Sequence, residues 1–413
     1  MNNQVYRLLA LCAHAECTTV HLQQLAQEAA KLGLEEWAGI PAQAEVHGMA
    51  PLLYTHLKSV GVELPLAVRR QLQGLYVRHR DANRVRTRVL RDIVTACQVA
   101  SIPVLVLKGA ALSHVVYLEP GLRPMSDIDI LVPQSELGRT QAVLAGLGFN
   151  VPAPSDPMPA HRHLPAATLR AERLEIAVEV HYKLLSDYFD HALAYLRSRV
   201  FSRGRIPLEQ APRRRAGGDQ AGPAWGGLTA PPRPFAVGDL TAYTLSYEEM
   251  LRHLCQHLSS HVNVWDFGRL IWVADVVSLA ERFAGEIDWE RVQRRYPAVL
   301  DTLSLLHFMT PLADDLLSQA PIRIGRAPQG IGVEFNGWPR VRGPGWRARG
   351  YRRVLRDTLC PSEWWLRLRY QLGRRPLFWY RWVRHPLYIL GHVIRAWLER
   401  LGWPRFPDLA GGK

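Results

Sequence analysis

The sequence lacks the features that mark disulfide-rich, zinc-finger and membrane-spanning proteins. Its five cysteines are scattered and odd in number, with no CxxC pair and no zinc-like spacing to histidine, so a reducing compartment is expected. No run approaches the roughly 18 to 20 uninterrupted apolar residues of a spanning helix, and no basic segment typical of a signal peptide opens the chain. We therefore expect a soluble, cytoplasmic protein.

The composition supports a folded chain with more than one domain. Its 413 residues are 48% hydrophobic, which excludes a wholly disordered protein and supplies enough apolar material for two or three domains. Helical spacing of apolar residues predicts an N-terminal helical region over 1–97. A core of short strands and helices is expected over 98–205, and a helical domain over 239–335. The fold class predicted from this order is α+β, with a short mixed sheet flanked by N- and C-terminal helical regions.

Two segments differ in composition from the rest. Residues 206–238 are rich in proline, glycine and arginine, which predicts a flexible insertion. Residues 336–413 carry most of the net charge of +14, with about seventeen basic residues against about four acidic ones from position 340 onward. Such basicity favours polyanionic partners.

The basic C-terminal segment also holds several tryptophans. Arginine mixed with aromatic residues is compatible with docking of the segment on the rest of the protein, with base stacking on nucleic acid, or with an interfacial helix on an anionic membrane. The sequence leaves these three roles open. The tryptophans concerned include Trp364, Trp365, Trp379, Trp382, Trp397 and Trp403.

An Asp-x-Asp pair inside an apolar strand is the clearest chemical signal. Because residues i and i+2 of a strand project to the same face, Asp127 and Asp129 converge while Ile128 and Ile130 enter the core. Two neighbouring carboxylates repel each other unless a hard cation neutralises them. Magnesium takes oxygen ligands and keeps positions open for phosphates. We therefore predict a site for Mg²⁺ or Mn²⁺ at the two aspartates.

A later strand supplies a third carboxylate. The alternation over 174–181 places Glu175, Glu179 and His181 on one face of that strand. A third carboxylate would permit a two-metal site that activates an acceptor hydroxyl. We assign this role to Glu179, with Glu175 as the alternative, and we interpret His181 as structural or as an acceptor contact.

Residues around a Lys-Gly pair are the predicted nucleotide contacts. Glycine lets a backbone approach a phosphate closely, and the first N–H groups of a helix favour anions, so Lys108 and Gly109 suit an NTP phosphate. Arg123 either binds a triphosphate oxygen or supports the acidic strand, and Ser126 offers a hydroxyl nearby.

Two further polar features have plainer interpretations. His253, His257 and His261 have the i, i+4 spacing of zinc ligands, but without a fourth ligand we expect hydrogen-bonded helix histidines. Asp275 lies within an apolar helical pattern, where a polar function and an N–H or arginine partner are both expected explanations.

Several of these motifs resemble one known family. Residues 105–112 and 123–132 look like the uncharacterised bacterial nucleotidyltransferase family of the polymerase-β-like superfamily. Residues 161–165 and 178–182 resemble its histidine-rich turn and its third-carboxylate strand, and residues 254–289 are similar to its C-terminal helical region. By that resemblance the core is a nucleotidyltransferase fold.

The resemblance also implies roles for individual residues. It makes Asp127 and Asp129 metal ligands, Glu179 the third carboxylate and Gly109 part of the phosphate loop. One departure is that most of the superfamily carries a Gly-Ser pair about a dozen residues before the aspartates. Here the pair is Lys-Gly, the gap is longer and the phosphate-binding serine is missing.

The expected activity is Mg²⁺-dependent transfer of a nucleotide from ATP or another NTP to an acceptor. A protein, an RNA and a small molecule are all compatible acceptors. The alternative from another class is a catalytically inactive adaptor of the same fold, which binds nucleic acid or an anionic membrane through its basic C-terminal segment.

Overall fold

The computed structural model describes residues 3–153, 163–184, 228–264, 268–341 and 344–400. The chain divides into two units. We call residues 1–87, 108–125 and 245–413 the helical unit, and residues 88–107 and 126–244 the sheet unit.

Helices form the N-terminal part of the chain, as the sequence predicts. Their apolar residues are buried at helical spacing, as Leu8, Leu9 and Leu25 illustrate. The longest helix crosses from the helical unit into the sheet unit after residue 87. The helices are α1 (Asn3–Leu11), α2 (Thr19–Ala29), α3 (Leu34–His47), α4 (Ala50–Ser59), α5 (Leu66–Val99) and α6 (Lys108–Val115).

The sheet unit contains a four-stranded mixed sheet in the order β1-β2-β4-β3. The two central strands, β2 and β4, are parallel, and both outer pairs are antiparallel. Helix α7 (Leu137–Gly146) follows β2 in the chain. The strands are β1 (Leu105–Val106), β2 (Asp127–Leu131), β3 (Ala167–Ala171) and β4 (Leu174–His181). The predicted α+β class with a short mixed sheet is confirmed.

A hairpin of two further strands, β5 (Arg233–Val237) and β6 (Leu240–Thr244), completes the sheet unit. The insertion predicted over 206–238 lies mostly outside the described residues, and β5 occupies its last part. Gly238 adopts φ +67° at the turn and lets β5 pair with β6. Thr244 Oγ1 donates a hydrogen bond to the Val106 carbonyl at 2.7 Å, which ties the hairpin to β1.

The remaining helices return to the helical unit. The first of them begins at Tyr247, where the Ser246 hydroxyl accepts a hydrogen bond from the Glu249 N–H. None of the described helices is both long and apolar enough to cross a bilayer. The helices are α8 (Tyr247–His261), α9 (Leu270–Arg282), α10 (Trp289–Arg295), α11 (Pro297–Leu306), α12 (Asp314–Gln319), α13 (Pro344–Arg349), α14 (Tyr351–Leu359), α15 (Glu363–Tyr370), α16 (Leu377–Trp379) and α17 (His385–Arg400).

A buried histidine network joins distant segments of the helical unit. His14 Nδ1 donates to Glu281 Oε2 at 2.9 Å, and His14 Nε2 accepts a hydrogen bond from Thr310 Oγ1 at 2.7 Å. His56 Nε2 donates to the His14 carbonyl at 2.9 Å. Burial lowers the pKa of His56 to about 4. Burial therefore keeps His56 neutral across the physiological range.

We expect this neutral histidine to make stability depend on pH. Between pH 6.5 and about 4, the imidazole of residue 56 takes up a proton in the unfolded chain but not in the folded one. The free energy of unfolding should therefore fall on acidification by about 1.4 kcal/mol per pH unit from this group. Urea unfolding at pH 7.5 and 5.0 measures the effect. His56→Gln keeps an N–H donor without titrating and should show a shallower loss; equal losses in both proteins would contradict the account.

Candidate functional site

Parallel pairing of β2 and β4 builds the acidic site. The register sets Asp129 beside Glu179 and Leu131 beside His181. Alternation along each strand sends the isoleucines of β2 into the core, where Ile128 and Ile130 are fully buried. The polar residues of both strands therefore share the opposite face of the sheet.

Three polar side chains meet at this position. Among the described residues of the sheet unit, one ligand atom each from Asp129, Glu179 and His181 lies within 4.8 Å of the other two. His181 Nε2 is 2.7 Å from Asp129 Oδ1 and 3.5 Å from Glu179 Oε2. Asp129 and His181 are buried, whereas Glu179 is partly exposed. The two carboxylate oxygens form a donor set that fits a divalent cation, and the His181 imidazole lies beside them.

The histidine in this group was assigned only a structural or acceptor-contact role from the sequence. His181 Nε2 donates to Asp129 Oδ1, and this bond orients the carboxylate in the way that outer-shell partners orient metal ligands. His181 Nδ1 is buried and has no hydrogen-bond partner among the residues that the structure describes. The signal was present in the sequence, since period two already places residues 179 and 181 on one face.

A second histidine also approaches the acidic group. An isolated bridge pairs His163 with His181, and their rings lie 5.0 Å apart. His163 Nε2 is 3.8 Å from Glu179 Oε2, and His163 Nδ1 donates to the Leu164 carbonyl. Two histidines, His163 and His181, therefore lie at a site that the sequence predicted from carboxylates alone.

The other predicted ligand, Asp127, stands apart from the group. It is the first residue of β2, and its partner across the ladder is Ala177, which brings no carboxylate to it. Ser126 is exposed and donates from Oγ to Asp127 Oδ1 at 3.1 Å. Among the described residues of the sheet unit, the group whose ligand atoms lie within 4.8 Å of one another contains Asp129, Glu179 and His181 but not Asp127. Its role as a metal ligand, and that of Ser126 as a nucleotide contact, stay predictions.

The register places one of the two candidate glutamates directly beside Asp129. Glu175 lies beside Arg170 of β3 and is exposed. Glu179 lies directly beside Asp129. Of the two candidates left open by the sequence, Glu179 is therefore the one placed to share a cation with Asp129.

The predicted nucleotide contacts Lys108 and Gly109 lie in the helical unit. Lys108 opens α6 with φ +44°, and Gly109 is buried in the first turn of the helix. A Cβ at position 109 would collide with the Arg123 guanidinium. The absence of a side chain at this glycine therefore makes room for an arginine, which gives it a packing role besides the predicted contact with phosphate.

Arg123 is held in a buried ion pair within the helical unit. Its Nε and Nη2 donate to the two carboxylate oxygens of Asp275 at 3.0 and 2.7 Å. The Tyr117 hydroxyl donates to the same carboxylate at 2.8 Å, and burial followed by the Asp275 charge raises the pKa of Tyr117. The guanidinium is thus engaged by Asp275 of α9, whereas the sequence predicted contact with triphosphate or support of the acidic strand. It also supplies the arginine partner expected for Asp275.

The histidine series of α8 packs with aromatic rings. The ring centroids of His257 and His261 lie 4.5 Å apart. Their distances to the ring centroid of Trp272 are 5.1 and 4.5 Å respectively. Within the described part of the chain, these rings belong to no group with metal-ligand spacing. Packing against Trp272 accounts for their position on the helix.

Comparison with known proteins identifies the family of this chain. A family model described as an uncharacterised nucleotidyltransferase matches residues 34–318. The chain belongs to this family. No curated protein matches the sequence. The nucleotidyltransferase match spans both units and includes every predicted site residue, so the family prediction is confirmed, while its bacterial origin stays a prediction.

Two solved structures are also similar to this chain. One is the antibiotic-resistance factor ANT(2'')-Ia in solution, at 15% identity over 52% of this chain and 96% of that chain, with a TM-score of 0.28. The other is an antigenic nucleotidyltransferase-like protein from Paracoccidioides brasiliensis, at 15% identity over 55% of this chain and 95% of that chain, with the same TM-score of 0.28.

We expect the Arg123–Asp275 pair to be required for folding of the helical unit. Arg123→Ala leaves the Asp275 carboxylate buried without its ion partner, which should cost about 3–5 kcal/mol of unfolding free energy. Urea denaturation measures this loss. Arg294→Ala, which removes an exposed ion pair with Glu290, is the matched control and should cause no measurable change. A similarly small effect at Arg123 would contradict the supporting role.

We also expect the acidic group to bind a divalent cation. Asp129→Asn and Glu179→Gln should each weaken Mn²⁺ binding at least about tenfold, because each removes a charged oxygen donor. Titration of free Mn²⁺ by electron paramagnetic resonance measures the affinity. Glu175→Gln changes a carboxylate on the same strand and should leave the affinity unaltered. Equal weakening by Glu175→Gln would mean that general negative charge, and not this site, attracts the ion.

Proposed function

We propose that this protein is a nucleotidyltransferase that uses Mg²⁺ or Mn²⁺ to move a nucleotide from an NTP to an acceptor. The observation that supports the proposal most directly is the side-by-side placement of Asp129 and Glu179 on parallel strands of a chain that belongs to a nucleotidyltransferase family. A buried aspartate beside a second carboxylate is unfavourable without a neutralising cation. The chemistry of the donor set therefore fits the family's activity.

Asp129 and Glu179 would hold the cation, and Asp127 is a further expected ligand from the same face of β2. When bound, the cation would neutralise phosphate charge and make an acceptor hydroxyl easier to deprotonate. His181 fixes the Asp129 carboxylate through its Nε2–H. Because that carboxylate is held before substrate arrives, less order has to be created on binding.

The proposed reaction is an in-line displacement at the α-phosphorus of the NTP. The acceptor oxygen forms a bond to that phosphorus as the bond to the bridging oxygen breaks. Pyrophosphate leaves with the bonding electron pair, and the hydroxyl proton passes to solvent or to a nearby base. Lys108, Gly109 and Ser126 remain the proposed phosphate contacts, whereas Arg123 is assigned to support of α6 and α9.

The acceptor is an open part of the proposal. A protein hydroxyl, an RNA end and a small-molecule hydroxyl are all compatible with the site, and so are ATP and other NTPs. The competing proposal is an inactive adaptor of the same fold. It draws support from the missing Gly-Ser pair and from the engagement of Arg123 with Asp275, since both reduce the set of groups available to a triphosphate.

Labelled NTPs incubated with the protein, Mg²⁺ or Mn²⁺ and a cell extract separate the two proposals. We expect label to be transferred to one macromolecule or small molecule. Asp129→Asn should reduce the initial rate about 10²-fold or more, because loss of a metal ligand removes several kcal/mol of transition-state stabilisation. Glu175→Gln is the matched control and should retain the wild-type rate. Transfer that is absent with every NTP, or unchanged in Asp129→Asn, would favour the adaptor.

A further inference from the structure

The C-terminal helix exposes an apolar face. Helices α16 and α17 are joined by a π-helical turn, Tyr380–Arg384, into one continuous helix over 377–400. Seven large apolar residues along it are between 49% and 72% exposed. We call these seven the outer face: Phe378, Trp379, Trp382, Leu387, Leu390, Ile394 and Trp397.

The opposite side of the helix fixes its orientation. His385 and Ile389 are buried, and His385 Nε2 donates to the Thr358 carbonyl at 2.8 Å. The His385 ring also packs against Trp365 and Phe335, at 5.3 and 6.1 Å. Because this side is docked within the helical unit, the outer face is directed away from it. Buried Trp365 helps to dock the C-terminal segment on the rest of the helical unit, as one of the three predicted roles requires. The exposed tryptophans do not take part in this docking and need another explanation.

The π turn brings the two halves of the outer face into line. Each residue of an α-helix advances about 100° around the axis, and a π turn contains one additional residue. Without it, Leu387, Leu390 and Trp397 would be rotated by about 100° relative to Phe378 and Trp382. With it, the exposed residues before and after the turn form a single stripe. Such a stripe is suited to a flat, extended partner.

The charge of this segment selects among partners. Residues 374–400 contain six arginines and one acidic residue, Glu399, and Arg374 and Arg375 just before the helix are exposed. Two copies of such a surface would repel each other, which disfavours self-association. Nucleic acid is complementary in charge, but it offers no hydrocarbon surface for Leu387, Leu390 and Ile394. An anionic phospholipid bilayer offers both hydrocarbon and negative charge.

We propose that the helix over 377–400 binds flat on the surface of an anionic phospholipid bilayer. The outer face enters the boundary between headgroups and acyl chains, and the arginines contact lipid phosphates. Tryptophan and phenylalanine occupy this boundary in interfacial helices because their rings are largely apolar yet polarisable. This proposal does not depend on the nucleotidyl-transfer activity.

Flotation of the full chain with vesicles tests the proposal. We expect the protein to float with vesicles of equal parts phosphatidylglycerol and phosphatidylcholine, and to remain at the bottom with phosphatidylcholine alone. Leu390→Asp and Trp397→Asp should each weaken binding at least about tenfold, since each removes buried apolar surface and adds a repelled charge. The double variant Arg374→Gln/Arg375→Gln should weaken binding without disturbing the apolar face.

Control variants distinguish binding by the outer face from non-specific adsorption of the protein to vesicles. Leu34→Asp alters a leucine that is 79% exposed at the start of α3, and it should bind vesicles as the wild type does. Circular dichroism should show all variants folded. The proposal is overturned if the wild type does not float with anionic vesicles, or if Leu390→Asp and Trp397→Asp bind vesicles as tightly as the wild type. It is also overturned if light scattering shows a dimer that Leu390→Asp converts to a monomer. Salt-sensitive binding to an RNA oligonucleotide with no vesicle binding would overturn it as well.

Discussion

The parallel pairing of β2 with β4 is the constraint on which the candidate site depends. Its register alone decides that Asp129 lies beside Glu179 and not beside Glu175. A shift by one residue would send every polar side chain of β4 into the core and every valine out. Burial of Ile128, Ile130 and Val178 on the other face therefore fixes the chemistry of this face. The core of the sheet and the acidic site are two consequences of one alternating pattern.

Electrostatic pairing plays a different part in each unit. In the sheet unit, Asp129 and Glu179 bring like charges together, and His181 offsets them only in part through one hydrogen bond. Such an arrangement favours a bound cation. In the helical unit, Arg123 and Asp275 satisfy each other with two short hydrogen bonds. This ion pair holds the Arg123 guanidinium against Gly109, so the arginine contributes to packing of the helical unit.

Local patterns carried most of what the sequence could predict. Alternation identified β2 and β4, and it placed Asp129, Glu179 and His181 on a shared face. Pairing between strands that are about 50 residues apart is not encoded locally, so the choice between Glu175 and Glu179 needed the register. The partner of Arg123 lies 152 residues away, and no spacing rule reveals it. The strand at Arg233–Val237 was hidden because the proline and arginine around it resemble a linker.

The central claim is that Asp129 and Glu179 hold a divalent cation beside an NTP. Crystals of the full chain grown with Mn²⁺ and a non-hydrolysable NTP would test it through anomalous scattering at the manganese absorption edge. The account predicts an anomalous peak about 2 Å from a carboxylate oxygen of each of these two residues and next to the triphosphate. A manganese peak bound elsewhere, or nucleotide bound with no ion at these carboxylates, would contradict it.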